Sequence, residues 1–233
     1  MIKTLGMPIF SCAAILFDLD GVLIDSTNTV ERQWRVWAQA KGTDPAAILA
    51  ISHGMRTAEV IRTVAPHLDA DAEARAIEER ETDDHDGITV VPGAAELIKS
   101  VPEDRWGIVT SGPRYLQSGR LRLCGLPVPK VFITAEDVAR GKPDPEPYLK
   151  GAARLGFPAA DCLVIEDAPA GISAACAAGM RVIGLATTYI PEKLIEANAV
   201  ARSLANFTVE IGQDGLLRVS FDTEKDSGKP NIT

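Results

Sequence analysis

The chain has 233 residues, 46% of them hydrophobic, with 24 Lys and Arg against 32 Asp and Glu and so a net charge of −8. At about 150 residues per domain this is roughly one and a half domains, long enough to bury a sizeable core and apolar enough to rule out wholesale disorder. The acidic balance argues against general binding to nucleic acid or to an anionic membrane, because both need basic surface.

In chain order, Ile9 to Phe17 reads as one buried strand that runs straight into Asp18 and Asp20. It has no cleavage signal, and no apolar run reaches the ~18 residues of a membrane span, so a cytoplasmic location is expected. From 27 to 88 the pattern is helical throughout. One helix covers Glu31 to Lys41 with Trp34, Val36, Trp37 and Ala40, and others cover 45–51, 57–65 and 71–82. The polar stretch Asp83-Asp84-His85-Asp86-Gly87 reads as a linker. Beyond it, apolar runs at 106–109, 131–133, 162–165 and 181–185 alternate with helical patterns at 93–101, 113–124, 145–156 and 169–178. This alternation predicts an α/β fold: a doubly wound, Rossmann-like parallel sheet with an all-helical domain inserted after its first strand. The expected division is a core of 1–26 and 89–221, an insertion of 27–88, and a frayed tail of 222–233. Within the core, 207–211 and 216–221 form a hairpin around Gly212 to Gly215. Cys12, Cys124, Cys162 and Cys176 lie too far apart for a metal motif and read as small buried hydrophobes in a reducing compartment.

The chemistry gathers where strands end. In doubly wound sheets the ligand crevice lies beyond the carboxyl ends of the strands. The first strand ends in Asp18-Leu19-Asp20-Gly21, two carboxylates able to face that crevice. The next ends in Val109-Thr110-Ser111-Gly112, hydroxyls and N–H groups at a helix start, which suits an anion. Then comes Gly141-Lys142-Pro143-Asp144-Pro145, with Lys142 as a point charge for phosphate. The fourth ends in Glu166-Asp167, oxygen donors that suit Mg²⁺. Any one of these has an ordinary structural explanation, such as a helix cap or a solvated lysine. Together they supply a nucleophile, a second acid, a phosphate cradle, a cation and metal ligands, the set for phosphoryl transfer through an aspartyl-phosphate.

The motifs FDLDGVLIDS, VTSG, GKPDP and VIEDAPAGISAACAAG resemble those of the haloacid dehalogenase superfamily over about residues 13–205. ISHGMRT, FITAEDV and EDAPAGI are similar to its sugar-phosphate and glycerol-phosphate phosphatases. The resemblance implies Asp18 as nucleophile and Asp20 as general acid and then base. It implies Mg²⁺ on Asp18, the Asp20 carbonyl and Asp167 with Glu166 nearby, and phosphoryl binding by Thr110, Ser111, Gly112 and Lys142. The insertion corresponds to a helical cap, from which His53 and Arg56 are expected to reach the substrate. An acid at Asp20 fits phosphatases and phosphomutases, with a β-phosphoglucomutase-like mutase as the alternative reading. A receiver-like phospho-acceptor is disfavoured by the insertion, and a non-catalytic relative by the presence of both Asp18 and Asp20. The expected partner is a small sugar or polyol phosphate, handled by a monomer without nucleic acid or membrane.

Overall fold

The computed structural model describes residues 8–222. The chain enters through β1 (Ile9–Cys12) and β2 (Ala14–Phe17), followed by the two-residue β3 (Ile24–Asp25). Four helices come next: α1 (Thr27–Lys41), α2 (Pro45–Ser52), α3 (Thr57–Val64) and α4 (Ala70–Asp83). β4 (Thr89–Val90) brings the chain back beside β3, its antiparallel partner. Then follow α5 (Ala94–Ser100), β5 (Trp106–Val109), α6 (Arg114–Leu123), β6 (Val131–Ile133), α7 (Glu146–Leu155), β7 (Cys162–Glu166), α8 (Pro169–Ala177) and β8 (Arg181–Leu185). A short β9 (Ala199–Ala201) and the hairpin β10 (Thr208–Ile211) and β11 (Leu217–Ser220) end the fold.

The central sheet is parallel throughout, in the order β6-β5-β2-β7-β8-β9. Its strands are apolar at every position but Glu166, which ends β7, and Arg181, which starts β8, because both faces are covered. Ala14 and Leu16 of β2 join Cys162 and Val164 of β7 under α7 and α8. Ile15 and Phe17 join Leu163 and Ile165 on the other face, with Leu97, Ile98 and Leu121 from α5 and α6. Full burial of each such side chain contributes about 1.5–3 kcal/mol. The helical block has a core of its own, in which Trp34 and Trp37 meet edge to face at 5.7 Å against Ile48, Val60, Ile61 and Ile77. Its helices start where local chemistry favours it. Asp44 and Asp69 accept hydrogen bonds from Ala46 N and Ala72 N, and Pro45 occupies the first turn of α2.

Several expectations change. Ile9 to Phe17 is two strands, not one. Ala13 breaks the run, and β1 leaves the parallel sheet to pair with β11 in an antiparallel sheet of order β1-β11-β10. Burial explains the split: β1 alternates, with Ile9 exposed and Phe10 and Cys12 inside, whereas β2 is buried at every position. α1 begins at Thr27, four residues before the expected start, and β9 is an additional sheet edge. The Asp83–Gly87 linker is tethered rather than loose, since Arg32 pairs with Asp84 at 2.7 Å and Thr29 Oγ1 donates to the Asp86 carbonyl. Cys12 and Cys162 are buried and Cys124 partly so, but Cys176 lies exposed on α8. Of the expected frayed tail, all but Asp222 lies outside the described residues. Among the described residues no helix is long and apolar enough to cross a membrane.

Candidate active site

Asp18 follows the last residue of β2, and its N–H still bonds the Ile165 carbonyl of β7 at 3.0 Å. Its carboxylate is thereby fixed at the sheet's carboxyl edge, where Oδ1 accepts from Lys142 Nζ at 2.5 Å. Lys142 also donates to the Val109 carbonyl at 3.0 Å and to Glu166 Oε1 at 2.7 Å, so its three N–H groups are all placed. Glu166 Oε1 further accepts from the Tyr148 hydroxyl, while Oε2 accepts from the N–H groups of Asp167 and Ala168. Gly171 leaves the space: a Cβ there would lie 1.6 Å from Glu166 Oε1.

Asp18, Glu166 and Asp167 are buried, with oxygens within 4.8 Å of one another. Burial pushes the Asp18 carboxyl up, against the pull of Lys142 and with the repulsion of Glu166. Burial and the charges of Glu166 and Asp18 push Asp167 up as well. Burial works against the charge of Lys142, but Asp18 and Glu166 outweigh it and hold the ammonium above its usual pKa. Three buried carboxylates face one ammonium, so the cluster is short of positive charge. Hard oxygen donors with that deficit fit a divalent cation. Glu166 has both oxygens engaged, which leaves Asp18 and Asp167 as the more available ligands. Gly21, at φ +85°, makes the turn after Asp20, and a Cβ on it would lie 2.0 Å from Asp167 Oδ2.

Asp20 opens onto the same cleft. It accepts from Ser26 Oγ (2.6 Å), Arg120 Nη1 (2.7 Å) and Gln117 Nε2 (2.6 Å). Arg120 turns its other nitrogen to Glu81 of α4, also at 2.7 Å. Thr110, Ser111, Gly112 and Asp167 line the cleft beside Asp18 and Asp20. Ser111 Oγ donates to the Gly54 carbonyl at 2.7 Å, so the helical block rests directly on the core.

The expected site residues are distributed unequally. Asp18, Asp20, Thr110, Ser111, Gly112, Asp167 and His53 all line the cleft. Lys142 and Glu166 stand behind Asp18 in its hydrogen-bond network. Burial lowers the His53 pKa, which leaves a neutral ring set edge-on to Tyr189. Arg56 is placed elsewhere: its guanidinium donates to the carbonyls of Ala135, Val138 and Ala139, at the junction of α3 with the core. Glu78, Glu81, Gln117 and Arg120 line the cleft and were not singled out from the sequence. A signal existed for two of them. Ala70, Ala74, Ile77 and Glu81 form the buried stripe of α4, and Leu116, Gln117, Arg120 and Leu121 that of α6. A charge falling on a helix's apolar stripe asks for a partner.

Residues 12–179 match the sequence profile of haloacid dehalogenase-like hydrolases. The chain belongs to that family. Among its relatives, hexitol phosphatase A of Escherichia coli is 42% identical over 203 residues, covering 85% of this chain and 94% of that protein. Glycerol-1-phosphate phosphohydrolase 2 of Saccharomyces cerevisiae is 38% identical over 188 residues, covering 76% and 75%. Among solved members, a variant of CbbY from Rhodobacter sphaeroides in complex with xylulose-(1,5)bisphosphate superposes with a TM-score of 0.74 at 25% identity, covering 86% and 96%. In all three the match extends over most of both chains, so the family assignment covers the helical block as well as the sheet.

Proposed function

We propose that the protein is a Mg²⁺-dependent phosphatase that hydrolyses small sugar or polyol phosphate monoesters through an aspartyl-phosphate. The observation that carries this reading is the pair at the tip of β2. Asp18 is buried between Lys142 and the Glu166–Asp167 acids, and Asp20 opens onto the same cleft within a hydrogen-bonded setting of its own. The names of the two phosphatase relatives agree with it.

In this reading Asp18 attacks phosphorus, and its carboxylate is aimed by the Lys142 ammonium. Asp20 gives a proton to the departing alkoxide oxygen and then takes one from the water that opens the aspartyl-phosphate. Thr110, Ser111 and Gly112 receive the phosphoryl oxygens, and Lys142 trades one of its present bonds for a phosphoryl oxygen. Asp18, Asp167 and the Asp20 carbonyl, with Glu166 alongside, would hold Mg²⁺, which would supply positive charge against the repulsion between an anionic nucleophile and a phosphate dianion. The helical block of 27–88 acts as the cap over a core of 1–26 and 89–221, and excludes water when closed. His53 belongs to its ceiling, and Arg56 serves the closed arrangement through the carbonyls it holds. The protein works as a cytoplasmic monomer on a diffusible substrate, without nucleic acid or membrane.

The test is a phosphate-release screen over sugar, polyol and nucleotide phosphates, with Mg²⁺ and with chelator. Metal-dependent turnover of polyol or sugar phosphates is expected. The absence of turnover on every ester with metal supplied rejects the reading, and isomerisation of β-glucose 1-phosphate in its place points to a mutase.

A further inference from the structure

One half of the cleft lining comes from the helical block, and its chemistry is one-sided. Glu78 and Glu81, three residues apart and so on one face of α4, both line it. Thr57 bonds Glu78, and Ser52 lines the same region from the end of α2. Three polar atoms on residues of the lining have no partner: Ser52 Oγ, on a residue 6% exposed, Gln117 Oε1, on a residue 2% exposed, and Arg120 Nε, on a residue 4% exposed. Buried polar groups are nearly always hydrogen-bonded. Unpaired atoms on three residues that line one cleft therefore mark where a ligand completes the bonding.

The charges narrow the kind of ligand. Among the described residues lining the cleft, Arg120 carries the one fixed positive charge; its terminal nitrogens pair with Asp20 and Glu81, which offset that charge, and its Nε adds one N–H donor. His53 contributes a neutral ring, and Lys142 is committed behind Asp18. A carboxylate or a second phosphate entering this half would meet Glu78 and Glu81 with no free cation to receive it. Hydroxyl groups meet acceptors on Glu78, Glu81 and Gln117, and a donor on Ser52. Burial lifts the Glu78 carboxyl to about 7 despite its Thr57 bond. Either protonation state bonds a hydroxyl, since the ionised form accepts and the neutral form also donates. The solved CbbY complex holds a bisphosphate, whose second phosphate would find no such cation here.

We infer that Glu78, Glu81, Ser52 and Gln117 form a subsite for the uncharged, hydroxyl-rich part of the ester and reject leaving groups that carry a carboxylate or a second phosphate. This rests on the phosphatase reading and narrows it from sugar and polyol phosphate monoesters at large to those whose leaving group carries no further charge.

The experiment compares kcat/KM for sorbitol 6-phosphate and phosphoglycolate in wild type, Glu78→Lys, Glu78→Gln and Ser52→Ala. Two charge-assisted hydrogen bonds at roughly tenfold each give the wild type a preference of about 100-fold for the polyol ester. Glu78→Lys is expected to cut that ratio by about 100-fold, as it removes an acceptor and supplies a cation. Ser52→Ala lowers it by about threefold through KM. Should the lysine variant not fold, Glu78→Gln carries the test with an expected loss of about tenfold. An unchanged ratio in folded Glu78 variants overturns the subsite. Calorimetric binding of both esters to Asp18→Asn reads the same preference without turnover. If wild type turns over no ester, not even p-nitrophenyl phosphate, the phosphatase reading falls, and the binding ratio alone decides the subsite. If wild type is active and the ratio does not move, the subsite falls and the phosphatase reading stands.

Discussion

Asp18 is held in a place where its own charge is disfavoured: burial and Glu166 raise its pKa, and Lys142 is the one ammonium that opposes them. Function and stability therefore pull apart at this residue. Asp18→Asn keeps the shape and removes a buried charge, so we expect turnover to fall by about 10³ or more while the metal-free protein melts no lower than wild type. Thermal melts in chelator beside the kinetic assay check both halves, and substantial residual turnover would place the nucleophile elsewhere. Lys142→Met does the opposite. It leaves three buried carboxylates without a cation, a loss of about 3–5 kcal/mol. Mg²⁺ should restore part of the melting temperature, and a melt unchanged by the substitution would contradict this account of the charge balance. Glu78 supplies the pH dependence. Its folded pKa of about 7 lies above the ordinary 4.5, so between these values the folded chain binds more protons than the unfolded one. That contribution is fully present below the lower value and is lost as pH rises through the upper. Glu78→Gln removes the loss, so the variant should gain about 1–2 kcal/mol over wild type near pH 8 and nothing near pH 4.5, with its partial exposure allowed for. Denaturant titrations at the two pH values measure it.

At the scale of elements, the parallel strands were legible because burial on both faces writes a continuous apolar run, as in residues 14–17 and 162–165. The strand tips were legible because Asp18, Asp20, Thr110, Lys142 and Asp167 each follow such a run. What was not legible depends on long-range partners. Nothing local tells β1 to leave the sheet for β11, 205 positions or more along the chain, although its alternation differs from that of β2. Glu78 sits in an acid-rich helix, Ala70–Asp83, most of whose acids, Glu81 apart, face solvent or surface partners, and the core it faces only exists once α4 meets α6. Arg56 shows the same limit. A lone arginine before a helix reads as a reach toward substrate, yet its guanidinium closes on three carbonyls of the 135–139 segment, and its neighbour Glu59 accepts from Gly141 N at 3.2 Å. Lys142 follows directly. α3 is thus fastened to the loop that presents the lysine, and Arg56→Ala should lower kcat by about tenfold on every ester alike with little change in KM. A KM increase confined to polyol phosphates would instead put Arg56 against the substrate.

Across the whole molecule three packed regions do different work. The parallel sheet presents Asp18, the helical block supplies Glu78 and Glu81 over it, and the β1-β11-β10 sheet covers α5 on the side remote from the cleft. Phe221 anchors that last region: it is 1% exposed, stacks on Phe207 with centroids 4.7 Å apart and lies 6.3 Å from Phe10. Ile77 is equally buried, but in the block whose α4 bears the two cleft acids. Phe221→Ala should cost about 3–5 kcal/mol and Ile77→Ala about 2–5 kcal/mol, since each opens a cavity in a packed core. Their kinetics should differ. Assayed well below the melting transition, Phe221→Ala should leave KM for sorbitol 6-phosphate as in wild type, because no residue of its sheet lines the cleft. Ile77→Ala should raise KM by about threefold or more, because a looser α4 no longer holds Glu78 and Glu81 in one position. Equal KM values in the two variants would mean that the helical block transmits none of its packing to the site, and that the cleft's upper half is set by the core alone.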